Sequence, residues 1–309
     1  MSGTFRTSVT AYPLVPSRED RGLLGCRVNP WVKPEEGNDT ERIGRHNTSM
    51  KIATWNINGI KARLDAATTW LKQANPDIAC FQEIKCVDEA FPSEVFEALG
   101  YNVAVHGQKG FNGVALLSKL PFDEVAPRLA GDPDDVQARY LEAVISVPSG
   151  ALRLINIYLP NGNPPESEKF TYKLAWMTRL RERVKALLAL EETMIIAGDF
   201  NVIPAPEDVY NPAVWMDDAL FRTETRAHFR ALLNLGLTCA FRACHDEPHR
   251  YTFWDYQAGA WQKNQGLRID HLLLSPQAAD RLQACEIDPT PRGWEKPSDH
   301  VPIWVEMAV

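Results

Sequence analysis

The sequence has no run of about 18 or more consecutive apolar residues, the length that a membrane-spanning helix needs. It also lacks the paired CxxC motifs of structural zinc sites, because its six cysteines are scattered along the chain. Cys244, His245 and His249 resemble part of such a site, but no second cysteine pair completes it. We therefore expect a cytoplasmic protein with reduced thiols and no membrane span.

An excess of positive charge is missing as well. The formal net charge is −7, which argues against a protein that wraps nucleic acid in an extensive basic surface. A local basic groove stays compatible with this charge, and a site for a divalent metal would itself need carboxylates. Hydrophobic residues make up 45% of the chain, so we expect a sizeable folded core.

Residues 1–49 contain no apolar stretch of the signal-peptide type and no sustained periodicity. Their content of Pro, Gly, Arg and Glu predicts a disordered extension. Met50 directly precedes the first predicted strand, and we consider it as an alternative start of the native chain. Residues 50–309 show no linker and no repeat of fixed period, so we expect them to form one catalytic domain.

Short apolar runs alternate with helical patterns from Lys51 onward. The longest predicted helix runs from about Pro164-Pro165 to Glu191, with Leu174, Met177 and Leu180 on its apolar face. Several of the predicted strands are joined by short turns such as Pro148-Ser149-Gly150. Hairpins with helices between them predict a layered α/β domain with mixed sheets.

The stretch Thr193–Asn201 reads as a short buried strand that ends in Gly198-Asp199-Phe200-Asn201. Side chains at positions i and i+2 of an extended chain point to the same side, so Asp199 and Asn201 would project into one pocket. A carboxylate can take up a proton there, and an amide can donate hydrogen bonds. The alternative is an ordinary surface turn, because Gly, Asp and Asn are common turn residues.

Polar residues recur at the ends of other predicted strands. Strand ends of a layered α/β fold converge on one rim, and sites are built at such rims. This recurrence favours a functional site over a set of unrelated turns. The strand ends and adjacent loops carry Asn56 and Asn58, Glu83, Tyr158 and Asn161, Asp199 and Asn201, Asp270 and His271, and Asp299 and His300.

Six motifs can be read along the chain. They are Trp55-Asn56-Ile57-Asn58-Gly59-Ile60, Gln82-Glu83-Ile84-Lys85, Gly107-Gln108-Lys109-Gly110, Gly198-Asp199-Phe200-Asn201, Gly266-Leu267-Arg268-Ile269-Asp270 and Lys296-Pro297-Ser298-Asp299-His300. Together they resemble the exonuclease III family of abasic-site (AP) endonucleases. The match runs in order from about Met50 to Met307, and the last two motifs separate this branch from DNase I and the sphingomyelinases. The resemblance implies a four-layer α/β sandwich with two central mixed β-sheets, an α+β arrangement in a single domain.

The resemblance implies Mg²⁺-dependent cleavage of a phosphodiester bond, with Mn²⁺ able to replace Mg²⁺. Glu83 is the best ligand for Mg²⁺, which prefers hard oxygen donors. Asn56 and Asn58 would orient ligands or metal-bound waters. Strand capping is the alternative for both, and at the position of Asn58 other members carry Asp. Asp199 is the candidate base for the attacking water, and Asn201 would fix that water or donate to the phosphate.

His300 allows two interpretations. In the first, which the family implies, Asp270 orients His300 and the imidazolium binds the scissile phosphate. In the second, Asp299 and His300 bind a second metal together with Asp199 and Asn201. The sequence does not choose between one ion and two. We expect His271, on the opposite side of its strand, to pack in the core.

Tyr158 ends an apolar strand, where a core tyrosine is the default. The family resemblance implies instead that its hydroxyl reaches the phosphate or the leaving group. Asn161 and Gly162, in the next loop, would also contact phosphate.

An abasic sugar has no base edge to read, so its recognition depends on flipping the nucleotide and on a small pocket. Phe253, Trp254, Leu267 and Ile269 would supply apolar walls, although each of them also suits a core position. Some relatives carry Trp where this chain has Leu267, a difference that would loosen the pocket and favour exonuclease activity. Lys109, Arg63 and Arg268 are the expected phosphate contacts.

The leading hypothesis is a monomeric DNA repair phosphodiesterase, acting on double-stranded DNA. It would incise 5′ to abasic sites and act as a 3′→5′ exonuclease that cleans blocked 3′ ends. A second hypothesis keeps the chemistry and changes the substrate to RNA 3′ ends or to a lipid or inositol head group. A third is a binding module that has lost activity, which the complete set of site residues disfavours.

Overall fold

The computed structural model describes residues 49–309, so the predicted disordered extension lies outside the described residues. The strands are β1 (Ser49–Asn56), β2 (Ile78–Gln82), β3 (Asn102–His106), β4 (Val114–Ser118), β5 (Glu124–Ala126), β6 (Tyr140–Val147), β7 (Gly150–Tyr158), β8 (Thr193–Asp199), β9 (Thr238–Cys239), β10 (Asp270–Leu274), β11 (Leu282–Ile287) and β12 (Ile303–Ala308). The α-helices are α1 (Ile60–Ala74), α2 (Ser93–Glu97), α3 (Glu168–Leu188), α4 (Pro212–Trp215), α5 (Thr223–Leu233), α6 (Ala240–Cys244) and α7 (Pro276–Ala279).

The strands form two six-stranded sheets. The first has the order β11-β12-β1-β2-β4-β3, and the second has the order β5-β6-β7-β8-β10-β9. Each sheet is mixed, because β1 and β2 run parallel in the first and β7 and β8 run parallel in the second, while their other pairs are antiparallel.

Three apolar clusters hold the layers together. One contains Ile52 of β1 and Leu154 of β7 and lies between the two sheets. The second packs Trp70 of α1 against the outer face of the first sheet. The third packs Trp176 of α3 and Phe229 of α5 against the outer face of the second sheet. The order helix, sheet, sheet, helix confirms the predicted four-layer α/β sandwich.

Some local predictions were wrong. The apolar patterns of Leu237–Phe241 and Tyr251–Trp254 predict short strands. The first segment is a two-residue strand followed by α6, and the second forms only isolated bridges, to Leu267 and His300. The strand β11 was not predicted, because polar residues interrupt its apolar pattern. None of the helices between Ser49 and Val309 is long and apolar enough to cross a membrane.

The topology brings the polar strand ends to one edge of the sandwich. Asn56 pairs with Gln82 at the shared ends of β1 and β2, so Glu83 follows directly beside Asn56. In the other sheet, Tyr158 pairs with Asp199 at the shared ends of β7 and β8. Asp270 starts the antiparallel β10 at the same level, opposite Asp199.

Candidate active site

Asn56 joins the two sheets at this edge. Its Nδ2 atom donates to Oε1 of Glu83 at 2.8 Å and to Oδ2 of Asp199 at 2.9 Å. Glu83 follows β2 of the first sheet, whereas Asp199 ends β8 of the second, so one fully buried amide holds carboxylates from both sheets. The structure thus brings together the side chains of Asn56, Glu83 and Asp199.

Glu83 carries its negative charge at the edge of the site. Burial by itself would raise the pKa of Glu83, but the Lys85 ammonium and the hydrogen bond from Asn56 outweigh it and lower that pKa. The Nζ atom of Lys85 lies 3.0 Å from Oε2 of Glu83. Glu83 is therefore ionised and able to bind a cation.

His300 lies between two carboxylates. Its Nδ1 atom is 2.8 Å from Oδ2 of Asp270, and its Nε2 atom is 3.8 Å from Oδ2 of Asp199. Burial lowers the pKa of His300, but the charges of Asp270 and Asp199 outweigh it and raise that pKa to about 10. The imidazole is thus held as a cation, oriented through the nitrogen that faces Asp270.

The environment of Asp199 favours the neutral form of its carboxyl group. It is 1% exposed, and burial raises the pKa of its carboxyl group above the ordinary value. The cation of His300 counteracts part of this rise, whereas the neighbouring Asp270 adds to it. A carboxylate with a raised pKa is a better proton acceptor, which suits a general base.

Tyr158 faces the same cluster. Burial and the charges of Glu83 and Asp199 raise the pKa of its hydroxyl group well above the ordinary value, so the group stays protonated. The guanidinium of Arg139 lies over the ring, 4.8 Å from its centroid. Tyr158 can therefore act as a hydrogen-bond donor in the cleft.

Two amides lie beside Asp199. Oδ1 of Asn201 accepts a hydrogen bond from Nδ2 of Asn161 at 3.1 Å, and Nδ2 of Asn201 donates to the Leu159 carbonyl at 2.9 Å. Both side chains line the cleft. Gly162 follows with a φ of 89°, a conformation that favours glycine and lets the loop turn behind Asn161.

Asn58 links Lys85 to Asp299. Its Nδ2 atom donates to Oδ1 of Asp299 at 2.9 Å, and its Oδ1 atom accepts from the Lys85 ammonium. An Asp at this position could accept from Lys85 but would face Asp299 as a like charge. The amide therefore matches both neighbours, which explains why Asn suits this position.

The cluster forms the floor of a cleft of about 280 Å³. Phe253, Leu267 and Ile269, three of the four residues considered for an apolar wall, line this cleft. Five further lining residues were not predicted. They are Asn163, Trp215, Asp218, Leu220 and Asp255.

Two predicted DNA contacts are wrong. Arg268 is 1% exposed, and its Nε atom donates to Oδ1 of the equally buried Asp208 at 2.9 Å. Its guanidinium holds the loop before α4 against β10 and does not face the cleft. Trp254 is 4% exposed and packs edge-on against Trp261, with its indole N–H donating to Asn264. It is a core residue and not a wall of the cleft.

The remaining basic residues differ in exposure. Lys109 is exposed in the β3–β4 loop and free to reach a phosphate. Arg63 is half-buried, and its guanidinium donates to the Asn58 carbonyl at 2.7 Å and to the Tyr256 hydroxyl at 3.1 Å. His271 is fully buried between Phe200 and Phe229, in agreement with the packing prediction.

A metal-ion site fits this residue set. Glu83, Asp199 and His300 offer ligand atoms that all lie within 4.8 Å of one another. The carboxylates supply the hard oxygen donors that Mg²⁺ and Mn²⁺ prefer. Asp270 contributes a buried oxygen, Oδ1, that has no hydrogen-bond partner in the described part of the chain. The cluster thus carries more negative charge than His300 and Lys85 neutralise.

Comparison with known proteins identifies the family of this chain. The model of the Endonuclease/Exonuclease/phosphatase family matches residues 53–300. Exodeoxyribonuclease III of Haemophilus influenzae is 36% identical over 266 residues, covering 84% of this chain and 100% of that relative. DNA repair nuclease APEX1 of Danio rerio is 31% identical over 276 residues, covering 87% of this chain and 86% of that relative.

Solved structures show the same architecture. The 3′ phosphatase NExo from Neisseria, bound to a product DNA hairpin, superimposes with a TM-score of 0.81 at 37% identity, covering 84% of this chain and 100% of that chain. An AP endonuclease from Archaeoglobus fulgidus superimposes with a TM-score of 0.80 at 37% identity, with the same coverage.

Proposed function

Because this chain belongs to the endonuclease/exonuclease/phosphatase family, we propose that it hydrolyses phosphodiester bonds in damaged double-stranded DNA. It incises the strand 5′ to an abasic site, and it acts on 3′ ends as a 3′→5′ exonuclease and end-cleaning enzyme. The similarity to an exodeoxyribonuclease III, to a DNA repair nuclease and to a 3′ phosphatase bound to a DNA hairpin supports this substrate. The observation that carries the proposal is the cluster of Glu83, Asp199 and His300 at the shared edge of both sheets.

In the proposed reaction, Asp199 accepts a proton from the attacking water. The water oxygen bonds to phosphorus and the bond to the 3′-oxygen breaks. The leaving 3′-oxygen takes up a proton from solvent, so the products are a 3′-hydroxyl and a 5′-phosphate. The buried carboxylate of Asp199, with its raised pKa, is placed for this step. The amide of Asn201, two residues on, fixes the water or donates to a phosphate oxygen.

Several fixed hydrogen-bond donors stabilise the negative charge that develops on the phosphate oxygens. His300 is held as a cation by Asp270 and binds a non-bridging phosphate oxygen. The protonated hydroxyl of Tyr158 and the amide of Asn161 donate from the other sheet. Such preorganised donors contribute most where water is excluded.

Glu83 and Asp199 would hold the metal ion, with Asn56 keeping the two carboxylates in place. Mg²⁺, or Mn²⁺ in its place, would supply polarisation of the phosphate and stabilisation of negative charge on its oxygens. This assignment follows the first interpretation of His300, in which one ion is held by the carboxylates and the imidazolium binds the phosphate. Asp299 and Asn58 line the approach to this site.

We propose that the enzyme acts as a monomer. Phe253, Leu267 and Ile269 would enclose the flipped abasic sugar, and Lys109 would contact the DNA backbone. The cytoplasm remains the expected location.

The deciding experiment uses a labelled duplex with one abasic analogue, with and without Mg²⁺, for the wild type and for Asp199→Asn. We expect metal-dependent incision immediately 5′ to the analogue, lost in the variant, which keeps DNA binding. Shortening from the 3′ end without incision would restrict the function to an exonuclease. If neither activity is seen with a folded protein, the substrate assignment is wrong and RNA becomes the next candidate.

A further inference from the structure

Lys173 is a fully buried lysine that the proposed mechanism does not use. It lies in α3, on the same helix face as the core residues Phe170, Trp176 and Met177. Placing an amine in such surroundings is unfavourable unless the protein supplies hydrogen-bond partners. A leucine or methionine would suit the core equally well, so the lysine calls for a separate explanation.

The partners of Lys173 are two residues of the cleft. Its Nζ atom donates to the backbone carbonyl of Asn161 at 3.0 Å and to the backbone carbonyl of Asn201 at 2.6 Å. In the described part of the chain it forms no ion pair, and the carboxylates that influence it most are Asp199 and Asp218. The amine therefore donates its hydrogen bonds to two peptide carbonyls and not to a carboxylate.

These two contacts come from different loops. Asn161 follows β7, and Asn201 follows β8, so Lys173 connects the ends of two neighbouring strands from behind the cleft. The stem of the side chain is packed against the first loop, because a Cβ atom at Gly162 would lie 2.6 Å from Cδ of Lys173. The lysine is thus in close contact with the loop as well as hydrogen-bonded to it.

The backbone of Asn201 has an unfavourable conformation that its hydrogen bonds stabilise. Its φ is 46°, in the left-handed region, which is uncommon for a residue other than glycine. Its N–H donates to Oδ1 of Asp199 at 2.8 Å, and its carbonyl accepts from Lys173. The two bonds fix both sides of the residue, and thereby the direction of its side-chain amide.

We propose that Lys173 is a positioning residue for the reaction, which holds the Asn161 and Asn201 peptides so that both side-chain amides face the scissile phosphate. This inference rests on the proposed function of the same cleft. An amine can donate to both carbonyls at once, whereas an apolar side chain of similar length leaves both without a partner. Loss of the amine should therefore displace the amides without removing the DNA-binding surface.

The first test compares Lys173→Met with Lys185→Met, in the full chain. Lys185 is exposed on the same helix, so its replacement removes the same side-chain amine at a distance from the cleft. We expect kcat for incision of the abasic duplex to fall on the order of 10- to 100-fold in Lys173→Met, with KM nearly unchanged. Lys185→Met should behave as the wild type. A wild-type kcat in Lys173→Met would overturn the proposal, whatever its thermal stability.

The second test uses Lys173→Ala, which removes three carbons and the amine. Propylammonium has the size and donors of the missing group, whereas propan-1-ol has the same size but only one donor. We expect the amine to restore kcat at least several-fold and the alcohol to restore little. Equal rescue by both compounds would show that Lys173 only fills space. The wild-type enzyme is measured on the same duplex first, and failure to cleave it would count against the proposed function itself.

Discussion

Asp199 and Asp270 lie directly opposite each other on the antiparallel strands β8 and β10. Oδ2 of Asp199 lies 3.8 Å from Nε2 of His300, and Oδ2 of Asp270 lies 2.8 Å from Nδ1 of the same ring. Two carboxylates thus share one imidazolium. Asp270 orients the ring through the shorter contact, which leaves Asp199 free to act on the water.

The first prediction concerns the alkaline side of the pH profile. Since the carboxylates raise the pKa of His300 to about 10, the cation persists through neutral pH and is lost as pH rises through that value. Replacement Asp270→Asn removes a negative charge, so the pKa of His300 should fall and the alkaline limb of kcat should move to lower pH. Single-turnover rates from about pH 6 to about pH 10 check this. Parallel profiles for the two proteins would contradict it.

The second prediction concerns the acid side. Because burial raises the pKa of Asp199, its base form is lost as pH falls, and the rate falls with it. A divalent cation bound beside the carboxylate favours its ionised form. Raising the Mg²⁺ concentration should therefore shift the acid limb to lower pH. Measurement of pH profiles at low and saturating Mg²⁺ tests this, and an acid limb that does not respond to Mg²⁺ would count against Asp199 as the group that titrates.

The third prediction concerns metal binding itself. Glu83→Gln removes one carboxylate of the cluster, so affinity for Mn²⁺ should fall on the order of 10-fold or more. Free Mn²⁺ measured by electron paramagnetic resonance gives this affinity without any substrate. The matched control is Glu182→Gln, on the exposed face of α3. Equal affinity in both variants would place the ion elsewhere.

The fourth prediction separates Arg268 from the DNA contacts. Arg268→Met removes one of the two arginines that pair with the buried Asp208, Arg242 being the other, and should lower the free energy of unfolding by about 1–3 kcal/mol. The salt dependence of DNA binding should stay as in the wild type, because Arg268 reaches no phosphate. Lys109→Ala should do the reverse, reducing the salt slope by about 1 with little change in stability. A reduced salt slope of DNA binding in Arg268→Met would show that Arg268 does contact a phosphate.

The fifth prediction concerns the pocket for the lesion. Leu267 lines the cleft beside Phe253, with which it forms an isolated bridge. Leu267→Trp should narrow the pocket and raise the ratio of abasic-site incision to 3′ exonuclease activity, at a loss of stability of about 1–3 kcal/mol. Leu267→Met, of similar volume, is the control and should keep the wild-type ratio. An unchanged ratio in the Trp variant would mean that this side chain does not select the substrate.

Much of the predicted site follows from the residue types at strand ends. The run before Asp199 and the motif around Glu83 each place a carboxylate just beyond a buried strand, and both carboxylates lie in the cleft.

The sequence analysis did not identify Lys173. It is a lysine on the apolar face of α3, between Phe170 and Met177, and this departure from helical amphipathicity was the available signal.

The sequence by itself determined the layered α/β class, the family resemblance and the set of polar groups at the rim, because these depend on local periodicity and on short motifs. Only the tertiary structure decided which basic residues are available. Arg268 is paired with Asp208, which lies 60 positions away in the chain, and Lys173 contacts the carbonyl of Asn201, 28 positions away. Whether a charge is solvated or buried depends on such distant partners, and no local pattern contains them.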